Sequence, residues 1–219
     1  MNRRKRVLMG LMLFGGVAAL VGGTLANFTA QTTNASNTFS SGTLVLSDQK
    51  VGGLTCLSTG SGTNTDTNVN SVGCDNLINA GAQKPGGAVA NSQVIIKNVG
   101  SVSASTLQLW STACSSSNAS GEAYHGTGNL CTVVNVTIHD DTNNFCYYPT
   151  AGAGACTMTS GKNLANLVAT YPAASPLSLS TTGLNSGITY TIGTQMDSSA
   201  GNNMQGLAAA IDFNWKITQ

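Results

Sequence analysis

From residue 43 onward, apolar and polar residues alternate in short runs separated by clusters of Gly, Asn, Ser and Thr, the period-two pattern of half-buried strands joined by turns. Residues 43–46 put Leu44 and Leu46 on one face, and Asp48, Gln49 and Lys50 close the run. Residues 93–99 predict a strand burying Val94, Ile95 and Ile96, with turns at Lys84-Pro85-Gly86-Gly87 before it and at Asn98, Gly100 and Ser101 after it. Residues 104–111 alternate through Leu107 and Leu109, and the two strands together read as a β-meander. Residues 132–139 set Val134, Val136 and Ile138 against Asn135 and Thr137. Strands follow at residues 177–180 and 187–192, the second pointing Ile188, Tyr190 and Ile192 one way. Residues 207–217 predict one long strand carrying Leu207, Ile211, Phe213, Trp215 and Ile217 on a single face.

One stretch departs from this pattern. Over residues 162–171, Leu164, Leu167, Val168 and Tyr171 recur at i, i+3, i+4 and i+7, which predicts a short helix stopped by Pro172 and Pro176. Seven or eight strands, turn signals between them and one helix predict an all-β fold, a jelly-roll-type β-sandwich, with long loops at residues 52–79 and 112–131.

The first 26 residues follow another rule. Arg3, Arg4, Lys5 and Arg6 precede an apolar run over residues 7–25 that ends in small residues, the order of a secretory signal peptide. The run also has the length of a bilayer span, about 20 residues, so a retained anchor is the competing reading. Gly10, Gly15, Gly16, Gly22 and Gly23 loosen it as a helix and favour cleavage. Cleavage leaves a polar arm, residues 27–40, opening with Phe28, ahead of a single domain at residues 41–219.

Composition narrows the function. The chain is 8% charged and 5% aromatic, too poor in Leu, Glu, Lys and Arg for long helices. Without the signal, Lys50, Lys84, Lys97, Lys162 and Lys216 face eight acids, a balance of −3 with no arginine, so nucleic-acid binding has no electrostatic footprint. Six cysteines fall in close pairs, Cys56 with Cys74, Cys114 with Cys131 and Cys146 with Cys156. On an exported chain an even count implies disulfides, and local pairing is the simplest of the possible connectivities. No CxxC and no close pair of histidines suggests a metal centre or other cofactor. His139, Asp140 and Asp141 close a strand, where solvent exposure is the commoner explanation than a calcium site or an acid–base pair. No G-x-S-x-G elbow appears. Sequons at Asn27, Asn34, Asn118 and Asn135 mark possible surface glycosylation.

Three local matches carry a resemblance to a known family. Leu-Val-Gly-Gly-Thr at residues 20–24, then Phe28, then Asn-Thr-Phe-Ser-Ser-Gly-Thr-Leu-Val-Leu-Ser at residues 37–47 form the first. Gln83-Lys84-Pro85-Gly86-Gly87, leading to Asn98-Val99-Gly100-Ser101, is the second, and Asn-Asn-Met-Gln-Gly through Asp-Phe-Asn-Trp at residues 202–215 the third. In these the chain resembles the TasA/camelysin family of exported biofilm-matrix fibre proteins. Val45 stands where that family usually has an acidic residue, and the six cysteines lie outside its pattern.

The resemblance implies a jelly-roll subunit, released by a signal peptidase, that polymerises head to tail with copies of itself, possible minor anchoring subunits included, into extracellular fibres or pili. It also implies that the arm, and within it Asn27, Phe28, Thr29, Ala30, Gln31, Thr32, Thr33 and Asn34, enters the neighbouring subunit as a donor strand. Period two would set Phe28, Ala30 and Thr32 on one face, and no proline interrupts the ladder. A monomeric surface adhesin using disulfide-tied loops is the alternative. A camelysin-like peptidase is the third reading, and HExxH is absent: His125 is followed by Gly126-Thr127 and His139 by Asp140-Asp141.

Overall fold

The computed structural model describes residues 42–58, 76–78 and 80–219. The residues read from sequence as a signal and a donor arm, Asn34 among them, and Cys74 lie outside the described residues. Residues Ser41–Gln219 form one compact unit.

The unit is all-β and sandwich-like. One layer is a seven-stranded antiparallel sheet built from β1 (Leu46–Lys50), β2 (Thr55–Leu57), β3 (Ala90–Asn98), β6 (Val134–Asp140), β7 (Phe145–Tyr148), β8 (Gly152–Ala153) and β10 (Ile188–Met196), in the order β2-β1-β3-β10-β6-β7-β8. The facing layer has three strands, β4 (Thr106–Ser111), β9 (Leu177–Leu179) and β12 (Phe213–Thr218), in the order β12-β4-β9. A two-stranded ribbon of β5 (Ser115–Asn118) and β11 (Leu207–Ala210) prolongs the β4–β12 pair.

Register decides which side chains meet. Opposed residues of an antiparallel pair share a face, and Ile96 lies opposite Ile188, Val94 opposite Tyr190, and Ile192 opposite Ile138. Val94, Ile96, Val136, Ile138, Ile188, Tyr190 and Ile192 are essentially without solvent exposure. Leu107, Leu109, Leu177 and Leu179 close on them from the smaller sheet. Each such side chain contributes roughly 1.5–3 kcal/mol on burial. Helix α1 (Leu164–Thr170) buries Leu164 and Leu167 in the same core, and the Asn163 carboxamide oxygen accepts from the Asn166 N–H at its start.

Several sequence-based expectations are corrected. The first strand begins at Leu46 and includes Asp48, Gln49 and Lys50; pairing with β3 outweighs their low strand propensity. Strand β3 buries Val94 and Ile96, while Ile95 points to the outer face. The predicted meander does not form, because β3 and β4 belong to opposite layers. The long final strand is two, β11 and β12, parted at Ile211-Asp212, where the Thr112 N–H and hydroxyl both bond Asp212. The neighbouring segment of the ladder breaks at the same level, between β4 and β5, beside the Cys114–Cys131 disulfide. Finally, Asp140 is fully buried, its carboxylate accepting from the Asn143 backbone (2.8 Å) and side-chain amide (2.7 Å) to close a turn.

Candidate assembly edge

The smaller sheet ends at β12, which pairs with β4 on one flank and with no strand on the other among the described residues. Its register with β4 (Trp215 opposite Leu109, Ile217 opposite Leu107) turns Phe213, Trp215 and Ile217 toward the core and Asn214, Lys216 and Thr218 away from it. Yet Phe213, Trp215 and Ile217 are only partly buried, whereas Leu107 and Leu109 on the next strand are 1% and 2% exposed. A missing neighbour on one flank is the geometric cause.

Two contacts fix which way that flank faces. The Trp215 ring stands 5.2 Å from Tyr190 of β10, and at the other end of the layer the Ser180 N–H, next to β9, donates to the Tyr147 hydroxyl of β7. The order β12-β4-β9 therefore runs over β10-β6-β7, and the open flank of β12 looks over β3 and β1. From β1, Leu46, Asp48 and Lys50 point into this side, being opposite Asn98, Ile96 and Val94. Residues 76–78 approach the same side: the Lys50 ammonium donates to the Asn76 carbonyl at 2.9 Å, and Leu77 and Ile78 pack against the core.

The electrostatics here are those of burial. The Asp48 carboxyl is pushed up to about 6 by desolvation, with no donor among the described residues to offset it. Burial likewise raises the Tyr190 hydroxyl far above its usual range, helped by the nearby Asp140 charge, and that hydroxyl has no hydrogen-bond partner among the described residues. The buried Trp215 indole N–H also lacks one.

Next to β12, strand β11 exposes Ala208, Ala209 and Ala210. Its entry is fixed by Gly206, whose φ of +64° and close approach to the Tyr124 carbonyl exclude a side chain. The His125 Nδ1 donates to the Gly206 carbonyl at 2.8 Å, so this histidine is spent on positioning a loop.

Other sequence-predicted residues are dispersed. Cys114 pairs with Cys131 and Cys146 with Cys156; Cys56 is disulfide-bonded, and Cys74 lies outside the described residues. Asn118 is exposed at the end of β5. Asn135 corrects the sequon reading: it is 3% exposed, and its amide donates to Asp197 at 2.9 Å, which closes it to a glycosyltransferase in the folded chain. Asp197, with donors also from Ser160 and Ser199, is held well below the usual carboxylate range.

On the outer face, His139 Nδ1 donates to Asp141 at 2.7 Å, and Gln93 and Thr191 donate to the other oxygen of Asp141. An open cleft of about 490 Å³ adjoins them, lined by Lys50, Val51, Asn91, Ser92, Gln93 and Thr191. Among the described residues no three His, Cys, Asp or Glu side chains converge on one point, and no helix is long and apolar enough to cross a membrane. Sequence reasoning missed the polar groups beside β12, because Asp48 reads as a strand terminator and Tyr190 as an ordinary core residue. No family model matches the chain, and no curated protein matches it.

Proposed function

We propose that the chain is an exported structural subunit that polymerises into extracellular fibres or pili, residues 27–40 of each copy pairing along the β11–β12 edge of the next. The observation that carries this reading is the open flank of β12 with its half-buried row of Phe213, Trp215 and Ile217. An exposed strand edge is a row of unmet N–H and C=O groups, and an added strand meets them while covering the apolar row. The lengths agree: β11 and β12 offer four and six strand residues, and residues 27–40 are long enough to run beside both at about 3.3 Å per residue. On this reading the sandwich is of jelly-roll type, its three-stranded layer completed by a neighbour.

The disulfides fit an oxidising, extracellular compartment. The resemblance to the TasA/camelysin family supports the same function. Negative-stain microscopy of the mature chain tests the proposal: it should form filaments, and deletion of residues 27–38 should give a folded protein without them. Dispersed particles from the mature chain would favour the adhesin reading, and filaments surviving the deletion would exclude the donated strand.

A further inference from the structure

The chain enters the sandwich at the end where β12 stops. Strand β1 continues backwards past Leu46: the Val99 N–H donates to the Val45 carbonyl at 2.8 Å, the Val102 N–H to the Thr43 carbonyl at 3.1 Å, and the Thr43 N–H to the Ser101 hydroxyl at 2.9 Å. The approach is close enough that a Cβ at Gly100 would strike the Thr43 carbonyl. Gly42, the first described residue, is thereby held beside the loop that leads from β3 to β4. That loop reaches β4 at Thr106, which lies opposite Thr218, and the Ser105 N–H donates to the Thr218 carbonyl at 2.8 Å. From this shared end β1 runs away, Leu46 to Lys50, while β12 runs toward it, Phe213 to Thr218. The β5–β11 ribbon prolongs the smaller sheet at the other end.

We propose that each copy docks the end carrying residues 42–45 on the ribbon end of the next, and that its arm runs antiparallel to β12 there, amino-terminal tip deepest. This rests on the donated-strand reading above. Copies in a head-to-tail polymer share one polarity, and an arm that prolongs residues 42–46 backwards leaves its own sandwich at the shared end. It then enters the next copy at the ribbon, passes β11 first, and carries Phe28 toward Ile217. An arm turned back onto its own β12 would lie parallel to it, so strand direction separates donation from self-pairing. Opposed residues share a face. With Phe28 inward, Ala30, Thr32 and Asn34 stand against Ile217, Trp215 and Phe213 in that order, and Thr29, Gln31 and Thr33 against Thr218, Lys216 and Asn214. Each docking end also exposes an apolar side chain, Val99 beside the root and Tyr124 next to Gly206 at the tip of the ribbon.

The test uses filaments of the mature chain co-assembled from two variants, one with an added cysteine in the arm and one with an added cysteine in β12, so that any link between the two joins different copies. Disulfide-linked peptides are identified by mass spectrometry. Thr29→Cys should link to Thr218→Cys, Gln31→Cys to Lys216→Cys, and Thr33→Cys to Asn214→Cys. Positions 214 and 218 stand about 13 Å apart along a strand, whereas a disulfide needs Cα atoms within about 7 Å. The link from Thr29→Cys to Asn214→Cys should therefore be lost. If one substitution blocks assembly, the order of the remaining two pairs still gives the direction. A partner that moves from 214 toward 218 as the arm cysteine moves from 29 to 33, or that does not move, would overturn this inference while leaving the donated strand standing. Filaments with no link between the arm of one copy and β12 of another, or a wild-type chain that never polymerises, would remove the donated strand and this inference together.

Discussion

The rings of Tyr190 and Trp215 stand 5.2 Å apart, tilted by 38°, and join the middle of the seven-stranded sheet to the free-edged strand of the smaller one. Trp215→Ala should destabilise the domain by about 3 kcal/mol, the lower end for a buried aromatic, because the ring is only partly covered. Trp215→Phe, which keeps the ring contact, should cost less than about 1.5 kcal/mol. Urea unfolding of the subunit measures both. A loss for Trp215→Ala as small as that for Trp215→Phe would mean that this contact does not tie the layers.

The Cys114–Cys131 disulfide, spanning 17 residues, holds the start of β5 against the 3-10 turn Leu130–Thr132. Replacing both cysteines by serine should lower stability by about 3 kcal/mol on the chain-entropy model. Hydrogen exchange should then accelerate first in β5 and β11, which among the described residues have only each other as strand partners. Uniform acceleration across the sandwich would contradict this local role.

Asp48 gives the stability of the subunit a distinct pH dependence. Its folded carboxyl sits at about 6, above its ordinary value of 3.8, so the folded state favours the protonated form. That contribution is complete below pH 3.8 and is lost as pH rises through about 6. A difference of this size between folded and unfolded chain is worth on the order of 2–3 kcal/mol. Asp48→Asn should therefore raise stability at pH 7 by up to about that amount and flatten the profile between about pH 4 and 6. Asp197 works the other way, its lowered carboxyl stabilising the fold above pH 3.8 and failing as pH drops below that. Unfolding midpoints taken from about pH 3 to 8 for wild type and Asp48→Asn check the assignment, and parallel curves would refute it.

Helix α1 starts on a single side chain. Asn163 accepts from the Asn166 N–H at 2.9 Å and donates to the Thr132 carbonyl at 2.7 Å, linking the helix to the entry of β6. Asn163→Ala should cost about 1–2 kcal/mol. Asn163→Asp keeps the cap but loses the second bond, and should fall between alanine and wild type in a urea titration.

What the sequence disclosed followed the strength of its alternation. Val134, Val136 and Ile138, and Ile188, Tyr190 and Ile192, face the core as their period-two spacing predicts, and the helix appears where Leu164 and Leu167 recur at helical spacing. Strand β5 was illegible because Ser115-Ser116-Ser117-Asn118 has no apolar residue, its pairing being imposed by β11 and the Cys114 disulfide. Strands β2, β7 and β8 are too short to show a period. The open edge was half legible. The inward row of Phe213, Trp215 and Ile217 is plain in the alternation, but the open flank depends on which strands become neighbours across layers, and no local pattern encodes that.

A reconstruction of the assembled filament at side-chain resolution would decide between a donated and a retained arm. Residues 27–40 of one subunit should lie as a strand along β12 of the next, with Phe28 turned inward. The same arm folded onto its own subunit, or free in solvent with β12 still unpaired, would contradict donation.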